Sequence, residues 1–274
     1  MKRSFFSGPY VIWMVLFIVV PLFIVMYYGL TVETSDGVAF SLDNVARAVE
    51  PQNLGILWRS VKLALIATAL CLAIGYPVAL ILTSKNFSKG QLVIMLFIIP
   101  MWMNFLLRTY AMVYLLDDGG LLANFLRTLG FQNVQLIYNQ FAIIVGLVYN
   151  YLPFMILPLY TVMSKIDRDL ISAAEDLGAN SQEVFRRVRF PLSVPGIITG
   201  ITMVFVPGVT TFAISRLLGG STQMMYGELI EMQFLLTRDW HFGATLSLVM
   251  MVLIIISMVI LRKTDADASG GMLF

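Results

Sequence analysis

The sequence predicts an all-α, polytopic membrane protein with six spanning helices, and three observations predict it. Hydrophobic residues make up 59% of the 274 and charged residues only 12%, against roughly 45–50% and about 25% in soluble chains. A soluble fold of this size could not hide so much apolar surface, so a lipid bilayer must cover it. Six segments carry the about 20 mostly apolar residues that cross hydrocarbon as a helix: 9–30, 61–84, 91–115, 141–163, 194–215 and 242–261. Basic residues, finally, are unequally shared between alternate connecting segments. With the N-terminus inside, the inner segments hold Lys2, Arg3, Lys85, Lys89, Lys165, Arg168, Arg186, Arg187, Arg189, Arg262 and Lys263. The outer segments and span edges hold Arg47, Arg59, Lys62, Arg127, Arg216 and Arg238. Both termini are therefore expected in the cytoplasm, and 1–274 is expected to form one transmembrane domain.

The first segment follows Lys2 and Arg3 as a secretory signal would. It is too long for a signal core and lacks a small-x-small cleavage site, so a true span is expected. The second contains Cys71, which reads as a small buried hydrophobe. The third holds the one clear intramembrane charge, Arg108, with Asn104 one turn earlier on the same helical face. A charge at that depth faces the bundle interior or an aqueous path. A structural tether and a place on a translocation path both fit it. Asn150, flanked by Tyr149 and Tyr151, is the polar insertion of the fourth span, and the same two roles fit.

Pro21, Pro77, Pro100, Pro153, Pro158 and Pro207 fall within spans. Each removes a backbone donor that hydrocarbon cannot replace, which argues for bent helices packed around a path. The expected outer segments carry Glu33, Asp36, Asp43, Glu50, Asp117, Asp118, Glu228, Glu231 and Asp239. Two readings fit: a solvated loop surface, or a negative vestibule that concentrates a cationic solute. The vestibule residues on the second reading are Asp117, Asp118, Glu228, Glu231 and Asp239.

The longest inner connection, 164–193, has a pattern of its own. Leu170, Ala173, Ala174 and Leu177 recur at helical spacing. Gly178 stands where a left-handed cap ends such a helix. Asn180 with Glu183 predicts a capped second helix, with Glu183 in reach of Arg186 and Arg187. A helix carrying alanines at the cytoplasmic face suits docking by a partner or lying flat on the membrane.

Whole classes of chemistry are excluded. One Cys and one His leave no disulfide framework, no Cys/His zinc set and no Cys-His nucleophile pair. A formal charge of +2 is too balanced for a nucleic-acid binder. No carboxylate lies mid-span, which counts against an ion-coupled carrier.

The segment Ser172-Ala173-Ala174-x3-Gly178-x9-Val188-x-Phe190-Pro191 resembles the EAA loop of ABC-importer permeases, E-A-A-x3-G-x9-I-x-L-P. Ser172 replaces the glutamate, Val188 the isoleucine and Phe190 the leucine. From Ser41 onward, segments such as Gly75-Tyr76-Pro77, Arg108-Thr109-Tyr110 and Arg238-Asp239-Trp240-His241 resemble, in order and spacing, the permease subunits of spermidine/putrescine importers. The resemblance implies a type I ABC importer permease fold without catalytic residues. It implies polyamine import by alternating access; another small solute, or less readily ion-coupled carriage, is the alternative. ATPase coupling would fall to Ser172, Ala173, Ala174, Asp176, Gly178 and Ala179, and the path to Asn104, Arg108, Tyr149 and Asn150. Implied partners are a second, PotC-like permease, two PotA-like ATPases and an extracytoplasmic PotD-like polyamine-binding protein. ATP and Mg would be bound by the ATPases, with no cofactor in this chain. The implied location is a bacterial cell membrane.

Overall fold

The structure, a computed structural model, describes residues 10–34, 37–84, 90–131, 135–220 and 222–270. Lys2, Arg3, Asp36, Lys85 and Lys89, used in the charge reading, lie outside the described residues. The described chain is helical apart from its connections and one hairpin. Five helices are long and apolar enough to cross a membrane, or up to six if one sharply bent pair is a single span.

Helix α1 (Tyr10–Gly29) contains a π-helical stretch, Val15–Val19, just before Pro21. Its end is tied to the last long helix, where the Thr245 hydroxyl donates to Gly29 O at 2.8 Å. Strands β1 (Thr31–Thr34) and β2 (Gly37–Phe40) pair antiparallel with Thr31 opposite Phe40, a small departure from the all-helical expectation. The short helix α2 (Asp43–Ala48) follows.

Helix α3 (Pro51–Leu82) begins well before the expected start at 61, with Pro51 in the first turn, where its missing N–H costs nothing. Its 32 residues span about 48 Å at 1.5 Å per residue, more than the roughly 30 Å of hydrocarbon. Hydropathy marks the apolar part; the helix itself extends beyond it through Lys62 and Arg59 to Pro51.

The expected straight span at 91–115 is instead broken. Helix α4 (Gly90–Ile98) runs through a 3-10 turn, Ile99–Trp102, and restarts as α5 (Phe105–Leu116). The axes on either side of the break differ by 93°. Pro100 supplies no N–H, Met103 is extended at φ −72° and ψ 147°, and Asn104 caps the new helix. Helix α6 (Leu121–Thr128) follows.

Helices α7 (Gln140–Met163), α8 (Arg168–Asp176) and α9 (Ser181–Thr210) come next, α9 with a π-helical stretch at Phe185–Arg189. The fifth span thus ends at Thr210 rather than at 215, and Ser215–Gly219 forms a separate π-helical turn. Helix α10 (Tyr226–Met232), another π-helical stretch at Gln233–Thr237, and α11 (Trp240–Gly270) complete the chain.

The core lies among α3, α7 and α9, where Leu63, Cys71, Leu147, Met155 and Val204 are almost fully buried. Small residues let these backbones approach, as membrane helices need in the absence of a hydrophobic drive between them. A Cβ added at Gly208 would lie 3.4 Å from the Ala64 Cβ. A second cluster joins α10 and α11 to the same bundle through Val209, Tyr226 and Leu246.

Candidate functional site

The segment between α7 and α9 is built by local rules. The Asp167 side chain caps α8 by accepting from the Asp169 N–H at 3.0 Å. At the far end Gly178 adopts φ +87°. Gly178 N–H donates to Glu175 O at 2.9 Å and Ala179 N–H to Ala174 O at 3.0 Å, the paired closing bonds of a Schellman turn. An added Cβ at Gly178 would meet nothing within 4 Å, so the glycine is required by conformation and not by space.

Asn180 then opens α9 with a complete capping box. Its Oδ1 accepts from Glu183 N–H at 2.9 Å while Glu183 Oε2 accepts from Asn180 N–H at 3.0 Å. That use of Glu183 corrects the expected contact with Arg186 and Arg187: no such ion pair occurs among the described residues.

Ile171 is the buried anchor of α8. Leu170, Ala173 and Leu177 form an exposed stripe, with Leu177 89% exposed. Beside it is a groove of about 350 Å³ where Ala174, Leu177, Gly178, Ala179, Val184 and Val188 supply small and apolar walls and Glu183 and Arg187 a charged edge. Ala174, Gly178 and Ala179 thus meet at one groove, Ala173 and Asp176 are exposed, and Ser172 is half-buried.

Within the bundle, Arg108 is 6% exposed and its Nε has no hydrogen-bond partner. The Tyr151 hydroxyl lies within electrostatic reach of the guanidinium and close to Thr211, and it donates to Pro207 O at 3.4 Å. That carbonyl is one of the orphans at the C-terminal end of α9. Asn150 is buried, donating to Gly146 O at 2.9 Å, with its Oδ1 unpartnered. Asn104 and Tyr149 are exposed. The face shared by Asn104 and Arg108 does not form, because Asn104 precedes α5 and spends its Oδ1 on the Leu106 N–H at 2.8 Å. Tyr151 and Thr211 complete the polar cluster and were not singled out in the sequence. The signal for Tyr151 was its place beside Asn150; Thr211 gave none.

At the opposite end of the bundle most of the expected vestibule acids are engaged. Glu228 is buried and accepts from the Ser215 hydroxyl at 2.8 Å, with Arg216 Nε at 3.8 Å. The same guanidinium meets Glu231 at 2.7 Å. Burial pushes the Glu228 carboxyl above the ordinary carboxylate range, while the Ser215 hydroxyl and Arg216 pull it back. Asp239 pairs with Arg47 at 2.9 Å and caps α11 through the Phe242 N–H at 3.0 Å. Arg47 also lies 3.9 Å over the Phe242 ring centroid. Asp117 and Asp118 are exposed and have no ion pair among the described residues.

A bent bundle of apolar helices, with buried polar groups inside it and an exposed apolar stripe turned away from its own core, has the architecture of a multi-pass membrane component. Residues 72–267 match the family of binding-protein-dependent transport system inner membrane components, and the chain belongs to that family. It is a multi-pass transport subunit rather than an enzyme. Over 255 residues it is 39% identical to the spermidine/putrescine transport system permease protein PotB of Salmonella typhimurium, covering 89% of this chain and 88% of that one. The Escherichia coli K12 PotB is 38% identical over 247 residues, covering 88% of this chain and 89% of that one. A bacterial ABC transporter that imports the acidic polysaccharide alginate has the same fold, with a TM-score of 0.70 at 16% identity over 95% of each chain.

Proposed function

We propose that the chain is a permease subunit of an ATP-driven importer that carries spermidine or putrescine across a bacterial cell membrane by alternating access. The carrying observation is the capped α8–α9 turn, whose exposed stripe of Leu170, Ala173 and Leu177 beside a small-residue groove suits a separate motor subunit. Closing of that motor on ATP biases the bundle between inward- and outward-facing states through its differential binding to the two. Ala173, Ala174, Asp176, Gly178 and Ala179 are the docking residues, and Ser172 replaces a charge that related loops carry there. Both termini and the docking turn face the cytoplasm. A PotC-like second permease, two PotA-like ATPases holding ATP and Mg, and a PotD-like binding protein complete the machine. Arg108 and Asn150 border the path, and Asp117 and Asp118 are the free acids at its outer mouth. Identity to PotB over most of the chain supports the polyamine cargo.

The test is affinity purification of this chain from its native membrane, followed by reconstitution and uptake of labelled spermidine with ATP inside the vesicles. Co-purification of an ATPase subunit and ATP-dependent uptake are expected. Uptake driven by an ion gradient with this chain alone would overturn the proposal.

A further inference from the structure

We propose that Tyr76 is the positioning residue through which movement of the docking turn reaches the transmembrane bundle. The proposal rests on the coupling role given above to α8 and the start of α9, and adds the joint on the other side.

Between the docking turn and the fifth span the chain passes through the π-helical stretch Phe185–Arg189. A π turn carries a looser hydrogen-bond ladder than α-helix and recurs at functional positions. Three aromatic rings fasten this stretch to α3. Tyr76 meets Phe185 edge-on at 6.0 Å and Phe190 at 6.2 Å, and Phe185 and Phe190 are themselves 6.2 Å apart. Those separations fall in the range where aromatic pairs attract beyond simple burial.

One directed hydrogen bond sets the register of the joint. The Ser193 hydroxyl donates to Phe190 O at 2.8 Å. Its oxygen is therefore left to accept, and the Tyr76 hydroxyl, 3.0 Å away, donates to it. Ser193 is fully buried, so water does not offer an equal substitute. Arg189, whose Nε is buried without a partner, acts electrostatically on the same Tyr76 hydroxyl.

The next residue of α3 is Pro77, which lies inside the helix and supplies no N–H to its ladder. Tyr76 thus links a compliant turn in one helix to a compliant point in the other. Displacement of α8 by a motor subunit that reaches α9 passes through residues 185–189, and these contacts turn it into displacement of α3. Without the bond, the docking turn can move while α3 stays.

The experiment uses the complete importer in proteoliposomes and measures ATP hydrolysed per polyamine taken up. Tyr76→Phe keeps the ring and removes the donor; Ser193→Ala removes the acceptor from the other side. Each is expected to lower uptake about three- to tenfold, the range one buried hydrogen bond supports, while hydrolysis is retained, so the ratio rises. The double variant is expected to match Ser193→Ala, which already lacks the Tyr76 bond and also loses the contact with Phe190 O. A substitution that only loosened the fold would lower uptake and hydrolysis together and leave the ratio unchanged. That result, additivity in the double variant, or no change in either single would overturn the role of Tyr76. Failure of the unaltered importer to couple hydrolysis to uptake would overturn the coupling reading itself, and is read before any variant.

Discussion

Replacing Arg216 by Gln is expected to destabilise the α10 end of the bundle by about 2 kcal/mol at neutral pH, most of it through one buried carboxylate. Arg216 has a side chain 43% exposed, and its partners Glu228 and Glu231 are 9% and 17% exposed. The Glu231 contact, at a guanidinium this wet, contributes about 0.2–1 kcal/mol. Glu228 matters more, since losing its cation leaves a buried charge held by the Ser215 hydroxyl and the Met225 backbone N–H alone. A hydrogen-bonded carboxylate deprived of its ion pair costs about 1–3 kcal/mol, and the exposure of Arg216 places this one at the low end.

The pH dependence has a definite sign. Burial raises the Glu228 carboxyl above its ordinary value of 4.5. Its protonated form is therefore the one the fold prefers, and that stability is complete below pH 4.5 and lost as the pH rises through the raised value. Arg216 opposes the shift, so its removal raises the carboxyl further and enlarges the deficit at neutral pH. Thermal unfolding of purified Arg216→Gln, alone and with Glu228→Gln, measured from pH 4.5 to 8, reads this directly. The single variant should melt roughly 4–8 °C lower at pH 7, with the gap closing toward acid, and Glu228→Gln should restore most of the loss. A deficit that is the same at every pH, or that Gln at 228 does not relieve, refutes the reasoning.

Three further outcomes follow from the same geometry. Gly178→Ala should weaken the docking turn by about 1–2 kcal/mol, because φ +87° is strained for any side chain although the space is empty; ATPase subunits should co-purify less well, and Gly178→Asp should abolish coupled uptake. Asp117→Asn with Asp118→Asn should raise the apparent KM for spermidine at low ionic strength and lose that effect at high salt, where screening is short-ranged. Asn104→Ala should cost about 1 kcal/mol by removing the cap of α5, seen as a lower melting temperature with the transport ratio unchanged.

The sequence carried the parts of the fold that local chemistry decides. Gly178 and the Asn180–Glu183 capping box were legible because each is specified by residues within one turn. Five of the six apolar segments were legible as long continuous helices, because lipid imposes a length on them. What hydropathy could not carry was the break at Met103–Asn104: Asn104 read as a polar group on a helix face, whereas its side chain starts that helix. Nor could charge counting foresee that Arg216 neutralises Glu228 and Glu231, since that pairing depends on how the turn at Ser215–Gly219 meets α10. Leu170, Ala173 and Leu177 were visible as an apolar stripe, but its turning away from the bundle is a tertiary fact.

The prolines show where bending has a local cause and where it does not. Pro77, Pro153, Pro158 and Pro207 all lie inside continuous helices, while the sharp bend near Pro100 needs Met103 and Asn104 as well. A proline ring strikes the carbonyl four residues earlier, and a wider turn relieves the contact. Two π-helical stretches sit where that relief is needed: Phe17, four before Pro21, lies in Val15–Val19, and Arg187, four before Pro191, lies in Phe185–Arg189. The stretches Ser215–Gly219 and Gln233–Thr237 have no proline behind them. They flank α10 on both sides, and the first sets the consecutive residues Ser215 and Arg216 against Glu228 together. No proline accounts for either, and the buried carboxylate grips the first turn at two consecutive residues. Releasing it by Glu228→Gln should speed amide exchange at Ser215–Gly219 and leave Val15–Val19, whose cause is a proline, unchanged.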